Sequence, residues 1–125
     1  MTWTANELAT LGDEQLLRIS TTRSEGSTRR PVIIWAVVVG NDLYVRSVRG
    51  DAGGWYRHIQ ANPDARIESG GVKREVTTVA ADRTLDQEID DACLAKYGPP
   101  FAVDSITIPA AKATTLKLVP RIWSS

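Results

Sequence analysis

Val32-Ile33-Ile34-Trp35-Ala36-Val37-Val38-Val39 is an unbroken apolar run of eight residues, six of them β-branched. Branching at Cβ stiffens the side chain and favours extended backbone, and a strand with no polar position to turn toward water must be covered on both faces. The run is far shorter than the roughly 20 residues that span a bilayer, so it belongs inside a protein core. Gly40-Asn41 follows as a two-residue turn signal, and Leu43-Tyr44-Val45-Arg46-Ser47-Val48 is again β-prone. A hairpin is therefore predicted here.

The rest of the chain repeats this pattern of short strands and tight turns. Residues 66–69 and 72–80 flank Gly70-Gly71 and form a second predicted hairpin, residues 18–22 are β-prone, and residues 114–119 form a strand ahead of Pro120. Residues 24–30 are polar, contain Gly26 and are a loop. Thr4 and Glu7 make a capping box for a short helix that buries Leu8 and Leu11 and ends at Gly12, with Asp13 capping a second turn through Leu16 and Leu17. Asp51 is the predicted cap of a helix in which Trp55 and Ile59 share a face and which Asn62-Pro63 stops. A capping box at Thr84 and Gln87 opens a third helix, with Leu85, Ile89, Ala92, Cys93 and Tyr97 on one stripe and Gly98-Pro99 as terminator. About six strands and two or three short helices in 125 residues, without repeat or linker, define one domain, residues 1–125, of α+β class. Closure into a small antiparallel barrel removes the sheet edges that would otherwise aggregate.

Composition excludes several kinds of protein. With 42% hydrophobic residues the chain is not disordered, and 15 basic against 15 acidic side chains do not make a general nucleic-acid coat. One cysteine, Cys93, and one histidine, His58, allow neither a disulfide framework nor a Cys/His metal cluster, so no metal site is expected. Cys93, on the helical stripe, is expected to be core filler rather than a nucleophile. Neither a signal peptide nor a membrane span is evident, and the expected compartment is the cytoplasm. The zero net charge conceals segregation: residues 1–17 carry −3, 18–83 carry +4, 84–98 carry −3 and the remainder +2. Of the eleven bases in the middle segment ten are Arg, whose planar fork suits bidentate contact with carboxylate or phosphate.

Chemistry concentrates in Arg46-Ser47-Val48-Arg49-Gly50, at the end of a predicted strand and just before a predicted helix. Free backbone N–H groups and the positive end of a helix dipole face the same space as the two Arg side chains and a hydroxyl there, and Gly50 permits close backbone approach. Two readings stand: a phosphate site, or a polar turn whose Arg residues pair with Asp42 or Asp51.

The run Trp35 to Val39, the turn, Leu43-Tyr44-Val45, Arg46-Ser47-Val48-Arg49-Gly50, then Trp55-Tyr56 and Ala61-Asn62-Pro63 resembles the central motif of the flavin-binding split-barrel superfamily. It is especially similar to the deazaflavin-dependent nitroreductase branch and to a related small family of unknown function. Thr21-Thr22-Arg23 through Arg29-Arg30-Pro31 is similar to the Arg- and Gly-rich lead-in of those families, and the likeness covers roughly residues 20 to 81. The resemblance implies a six-stranded antiparallel split β-barrel, a homodimer, and FMN or a deazaflavin coenzyme at or near the dimer interface. Carried over by position, Arg46, Ser47, Arg49 and Gly50 would hold the phosphate, while backbone at Ile33, Ile34 and Trp35 would line the isoalloxazine ring. Trp55 and Tyr56 are expected to be core or dimer contacts. The chain departs from the deazaflavin branch in having only Gly50 to Gly54 between Arg49 and Trp55, and no Pro before the Trp.

FMN is preferred over the deazaflavin coenzyme, whose oligoglutamate tail would be repelled by the acidic first 17 residues. The function expected is that of an oxidoreductase reducing a small electron-poor substrate by hydride transfer. The alternative is a non-catalytic module binding a flavin, haem or another anionic ligand. No catalytic residue is assigned, although Tyr44, Tyr56 and His58 are chemically able to donate a proton. A nucleic-acid-binding barrel is disfavoured because only 6% of the residues are aromatic.

Overall fold

A computed structural model describes residues 3–14, 16–47, 50, 53–97 and 109–121. Its elements are helix α1 (Ala5–Asp13), strands β1 (Leu17–Thr21), β2 (Val32–Ile34), β3 (Ala36–Val39) and β4 (Asp42–Val45), helix α2 (Gly54–Ala61), strands β5 (Asp64–Ser69) and β6 (Val72–Ala80), helix α3 (Asp86–Tyr97), a short helix α4 (Pro109–Lys112) and strand β7 (Leu116–Pro120). Among the described residues the seven strands form one antiparallel sheet in the order β2-β1-β5-β6-β7-β4-β3.

The apolar run controls how this sheet closes. It is two strands, with a break at Trp35: β2 pairs with β1 at one end of the sheet and β3 pairs with β4 at the other. Since β2 and β3 are consecutive in the chain, a single residue ties the two edges together and the sheet curls into a nearly closed barrel. That break is why seven strands appear where about six were expected. It also corrects the expectation of burial along the whole run. β3 does lie between two cores, but Val32 and Ile33 are 42% and 56% exposed. They sit where β2 ends the sheet and have β1 on one side only.

Side-chain alternation sorts the interior into two clusters. Leu43 and Val45 of β4 point into the barrel with Ile19, Ile67, Val76 and Leu118, whereas Tyr44 points outward and packs with Val37, Ile89 and Cys93 beneath α3. The predicted stripe of α3 is the face so buried. Its C-terminal end holds the break in the apolar run: Tyr97 Oη accepts from Ala36 N–H at 3.0 Å and donates to Ala36 C=O, and Lys96 Nζ donates to the same carbonyl at 2.6 Å. Trp35 stacks on the Tyr97 ring at 4.9 Å. Burial of these groups pushes the Tyr97 hydroxyl up to about 12 and the Cys93 thiol up to about 11.

The turn and cap expectations fare unevenly. Both hairpins close on the predicted dipeptides, Val39 facing Asp42 across Gly40-Asn41 and Ser69 facing Val72 across Gly70-Gly71. The capping box is present, Thr4 Oγ1 accepting from Glu7 N–H and Glu7 accepting from Thr4 N–H. The helix runs through Gly12 to Asp13, so Asp13 caps no second turn; Leu17 opens β1 and Leu16 is exposed. α2 is capped by Gly53, with no side-chain bond, and Asp51 lies outside the described residues. Ahead of the third helix Asp82 caps a 3₁₀ turn (Arg83–Leu85) that holds Thr84, the expected cap, and accepts from Thr84 N–H at 2.9 Å. The last strand starts two residues late. Thr114 and Thr115 donate their hydroxyls to Ala111 and Lys112 carbonyls, and so finish α4 instead of entering the sheet. Gly98 and Pro99, the expected terminator of the third helix, lie outside the described residues.

The charge segregation is resolved by tertiary pairing. Acidic α1 meets the basic middle through Glu7 and Arg74 at 2.6 Å, and acidic α3 meets it through Asp90 and Arg46 at 2.6 Å. Trp3 covers the barrel interior, donating its indole N–H to Leu118 C=O at 3.0 Å with the Arg74 guanidinium 5.6 Å from its ring.

Candidate functional site

A cavity of about 440 Å³ opens between the exposed end of β2, the end of β4 and the start of α2. Its walls are Val32, Ile33, Ile34 and Trp35 on one side, Arg46 and Ser47 at the back, and Gly53, Gly54 and Trp55 opposite. The volume is in the usual range for a small-molecule site, and the mix of aliphatic, aromatic and a few polar groups is typical of one.

Local chain geometry explains why these groups converge. Beyond β4 the chain turns at once: Gly50 N–H donates to Ser47 C=O at 3.0 Å and Gly53 N–H donates to Gly50 C=O at 3.2 Å. Gly50 is buried with φ +62°, a left-handed conformation that side chains with a Cβ resist. Gly53 has an ordinary φ but no room, since a methyl group there would overlap Ser47 Oγ. Ser47 is itself buried, its backbone N–H donating to Thr114 Oγ1 at 2.9 Å. This tight corner brings the first turn of α2, which no side chain caps, against the serine, so main-chain N–H groups and a hydroxyl share one wall.

Of the residues carried over from sequence, Ile33, Ile34, Trp35, Arg46 and Ser47 all line this cavity. Gly50 builds the turn behind it without lining it, and Arg49 lies outside the described residues. Trp55 and Tyr56 pack against the barrel core as expected, and Trp55 also forms part of the cavity wall, its ring edge-on to Tyr56 at 6.1 Å. Tyr44, Tyr56 and His58 do not line the cavity: Tyr44 is buried under α3 and His58 is exposed on α2. A second void, of about 10 Å³, between Trp35, Tyr44, Cys93 and Tyr97 has room for a single water at most.

Arg46 is the residue whose surroundings differ most from both sequence readings. Its side chain is 3% exposed and pairs with α3, which neither reading foresaw, while Asp51 lies outside the described residues. Nη1 donates to Asp90 at 2.6 Å, Nη2 lies 3.8 Å from the Asp86 carboxylate and 3.4 Å from the Asp86 carbonyl, and Nε donates to Thr115 Oγ1 at 2.9 Å. Lys112 reaches the other Asp90 oxygen at 2.8 Å, and Arg83 the other Asp86 oxygen at 2.8 Å. Burial alone would raise the Asp90 carboxyl, but hydrogen bonds and charge from Lys112 and Arg46 outweigh it and hold the group below the ordinary carboxylate range. Sequence reasoning missed Asp86, Asp90, Lys112 and Thr115; the surplus of acid in residues 84–98 opposite an Arg-rich middle was the available signal.

These features define the protein's class. The architecture is a split barrel, a fold shared with solved structures of low sequence identity. The heme storage protein HutZ from Vibrio cholerae superposes with a TM-score of 0.70 at 12% identity, over 98% of this chain and 93% of that one. An FAD-binding protein from Mesorhizobium loti gives 0.60 at 17%, over 98% and 93%, and an F420-H2 dependent reductase gives 0.61 at 18%, over 83% and 93%. Residues 7–118 match the model of the family described as "Uncharacterized protein conserved in bacteria (DUF2255)", and the chain belongs to that family. No curated protein matches the sequence.

Proposed function

We propose that the cavity binds a flavin-type cofactor, FMN in preference to a deazaflavin coenzyme, and that the protein is an oxidoreductase acting on a small electron-poor substrate. The observation that carries this reading is the convergence of Ile33, Ile34, Trp35, Arg46 and Ser47 with the first turn of α2 around one cavity of about 440 Å³. In this reading a planar ring would lie between the β2 backbone and Trp55, both of which line the cavity. Its phosphate would lie at Ser47 and the α2 amides, with Gly50 shaping the turn and Arg46 and Arg49 supplying positive charge. When bound, such a cofactor supplies the hydride chemistry; the chain's own residues contribute position, a dry apolar wall and hydrogen bonds.

One observation favours a flavin over haem. Among the described residues the cavity wall has no His, Cys, Met or Tyr, the side chains that ordinarily ligate haem iron. The alternative of a non-catalytic flavin carrier draws support from the same wall, since it also holds no obvious proton donor. The exposed Val32 and Ile33 on the terminal strand, beside the cavity, support a homodimer covering that face. Among the described residues no helix is long and apolar enough to cross a membrane; a cytoplasmic location and a small-molecule partner belong to the proposed reading.

Titration with FMN, a deazaflavin coenzyme and haemin, read by tryptophan quenching from Trp35 and Trp55, tests the reading. FMN should saturate at one per chain and bind most tightly. Gly54→Trp should weaken it at least tenfold, because position 54 lines the cavity and has open space around it. No flavin binding, or binding indifferent to Gly54→Trp, overturns the proposal. Reoxidation of the reduced, loaded protein by nitroaromatic or quinone acceptors then separates enzyme from carrier.

A further inference from the structure

We propose that Asp90, helped by Asp86, sets the charge that the cavity presents to a ligand's phosphoryl group by holding the Arg46 guanidinium on α3, so that the site selects its ligand mainly by the ring. This rests on the flavin-type reading of the cavity but adds a determinant outside its wall. Three observations support it. Arg46 lines the cavity, yet all three guanidinium nitrogens are engaged by groups that do not line it, Thr115, Asp90 and Asp86. Two carboxylates within 4 Å, shared with Lys112 and Arg83, draw the guanidinium to α3, so its charge-assisted bonds are made there and not with an incoming dianion. Asp90 is in turn fixed from the opposite side by Lys112, which keeps the pair on α3. Asp86 contributes by charge more than by bonding, for its Oδ1 is buried without a hydrogen-bond partner.

Among the described residues of the wall, the other phosphoryl contacts are Ser47 and main-chain N–H groups, which are neutral donors. Neutral hydrogen bonds are weaker than charge-assisted ones, so a phosphorylated ligand gains little over its dephosphorylated counterpart. Removing the charge of Asp90 while keeping its shape should return Arg46 to the cavity.

The test compares riboflavin, FMN and inorganic phosphate on wild type, Asp90→Asn and the double variant Arg46→Met/Asp90→Asn, read by tryptophan fluorescence. Wild type should bind FMN and riboflavin within about threefold of each other. Asp90→Asn should favour FMN by tenfold or more and bind inorganic phosphate at least tenfold more tightly than wild type, and the double variant should lose both gains. An unchanged FMN-to-riboflavin ratio in Asp90→Asn overturns the proposal. Should neither flavin bind any of the proteins, the flavin reading has failed, and the phosphate titration still decides: a tenfold gain that needs Arg46 upholds the role of Asp90, and no gain overturns it. If Asp90→Asn does not fold by circular dichroism, Asp86→Asn, which removes the more distant carboxylate, should shift the ratio in the same direction by a smaller factor, and no shift counts against the proposal.

Discussion

Replacing Gly53 by Ala tests whether the corner between β4 and α2 is as tight as its geometry implies. At φ −63° and ψ 133° alanine meets no backbone strain, so the cost must come from neighbours. A Cβ there lies in ordinary contact with Gly50 C=O at 3.4 Å and Ser47 Cβ at 3.5 Å, but overlaps Ser47 Oγ. Ser47 is buried, so its hydroxyl must leave its rotamer or the turn must open, at about 1–3 kcal/mol. Two further effects oppose each other: alanine is a poorer N-cap than glycine, by several tenths of a kcal/mol or more, and it restricts the unfolded chain, which stabilises by about 0.4–1 kcal/mol. Both persist when Ser47 is replaced by alanine, whereas the overlap disappears. Urea denaturation of wild type, Gly53→Ala, Ser47→Ala and the double variant should therefore give a coupling energy of at least about 1 kcal/mol. Gly53→Ala should cost about 1–3 kcal/mol in the wild type and about 0.5 kcal/mol or less in the Ser47→Ala background. If the two single effects add to within about 0.5 kcal/mol, the overlap is not what makes glycine necessary.

Three other outcomes are expected. Glu7 and Asp90 both titrate below their ordinary range: burial alone would raise each, but bonding to Thr4 and Arg74, or to Lys112 and Arg46, prevails. A depressed folded value means stability that is complete above the unfolded value near 4 and is lost as pH falls through the folded one, so urea midpoints should drop in acid and Glu7→Gln should flatten that limb. Cys93, with its thiol pushed up to about 11 and buried, should react with a thiol reagent at pH 8 no faster than the protein opens, and rapidly in denaturant; fast labelling of the native protein would refute its placement. Tyr97→Phe leaves Ala36 N–H without its partner and should cost about 1–3 kcal/mol, with a change in Trp35 fluorescence; an unchanged urea midpoint would show that the apolar run needs no such tie.

What was legible in the sequence was legible because it is local. Gly40-Asn41 and Gly70-Gly71 specify their turns within four residues, Thr4 and Glu7 cap each other within four, and the stripe from Leu85 to Tyr97 needs only the helical period. The errors are also local signals, but ones that a competing contact won. Asp82 displaced Thr84 as a cap because its carboxylate reaches both Thr84 N–H and Thr84 Oγ1. Thr114 and Thr115 stayed out of the strand because their hydroxyls serve α4, Ser47 and Arg46. In the cavity, the positions of Ile33 to Trp35 and Arg46-Ser47 could be carried over from a resemblance, while Asp86 and Asp90 could not, being about 40 residues from the arginine they hold.

From sequence alone came the two hairpins, the amphipathic third helix, an antiparallel barrel and the stretch where polar chemistry meets an apolar strand; each follows from hydrogen bonding and periodicity inside a short window. Tertiary structure alone decided that one apolar run serves both ends of the sheet, and that the Arg46 charge is spent on α3. Those outcomes depend on which distant surfaces meet when the sheet curls, and a guanidinium buried by that closure must take whichever carboxylates arrive with it.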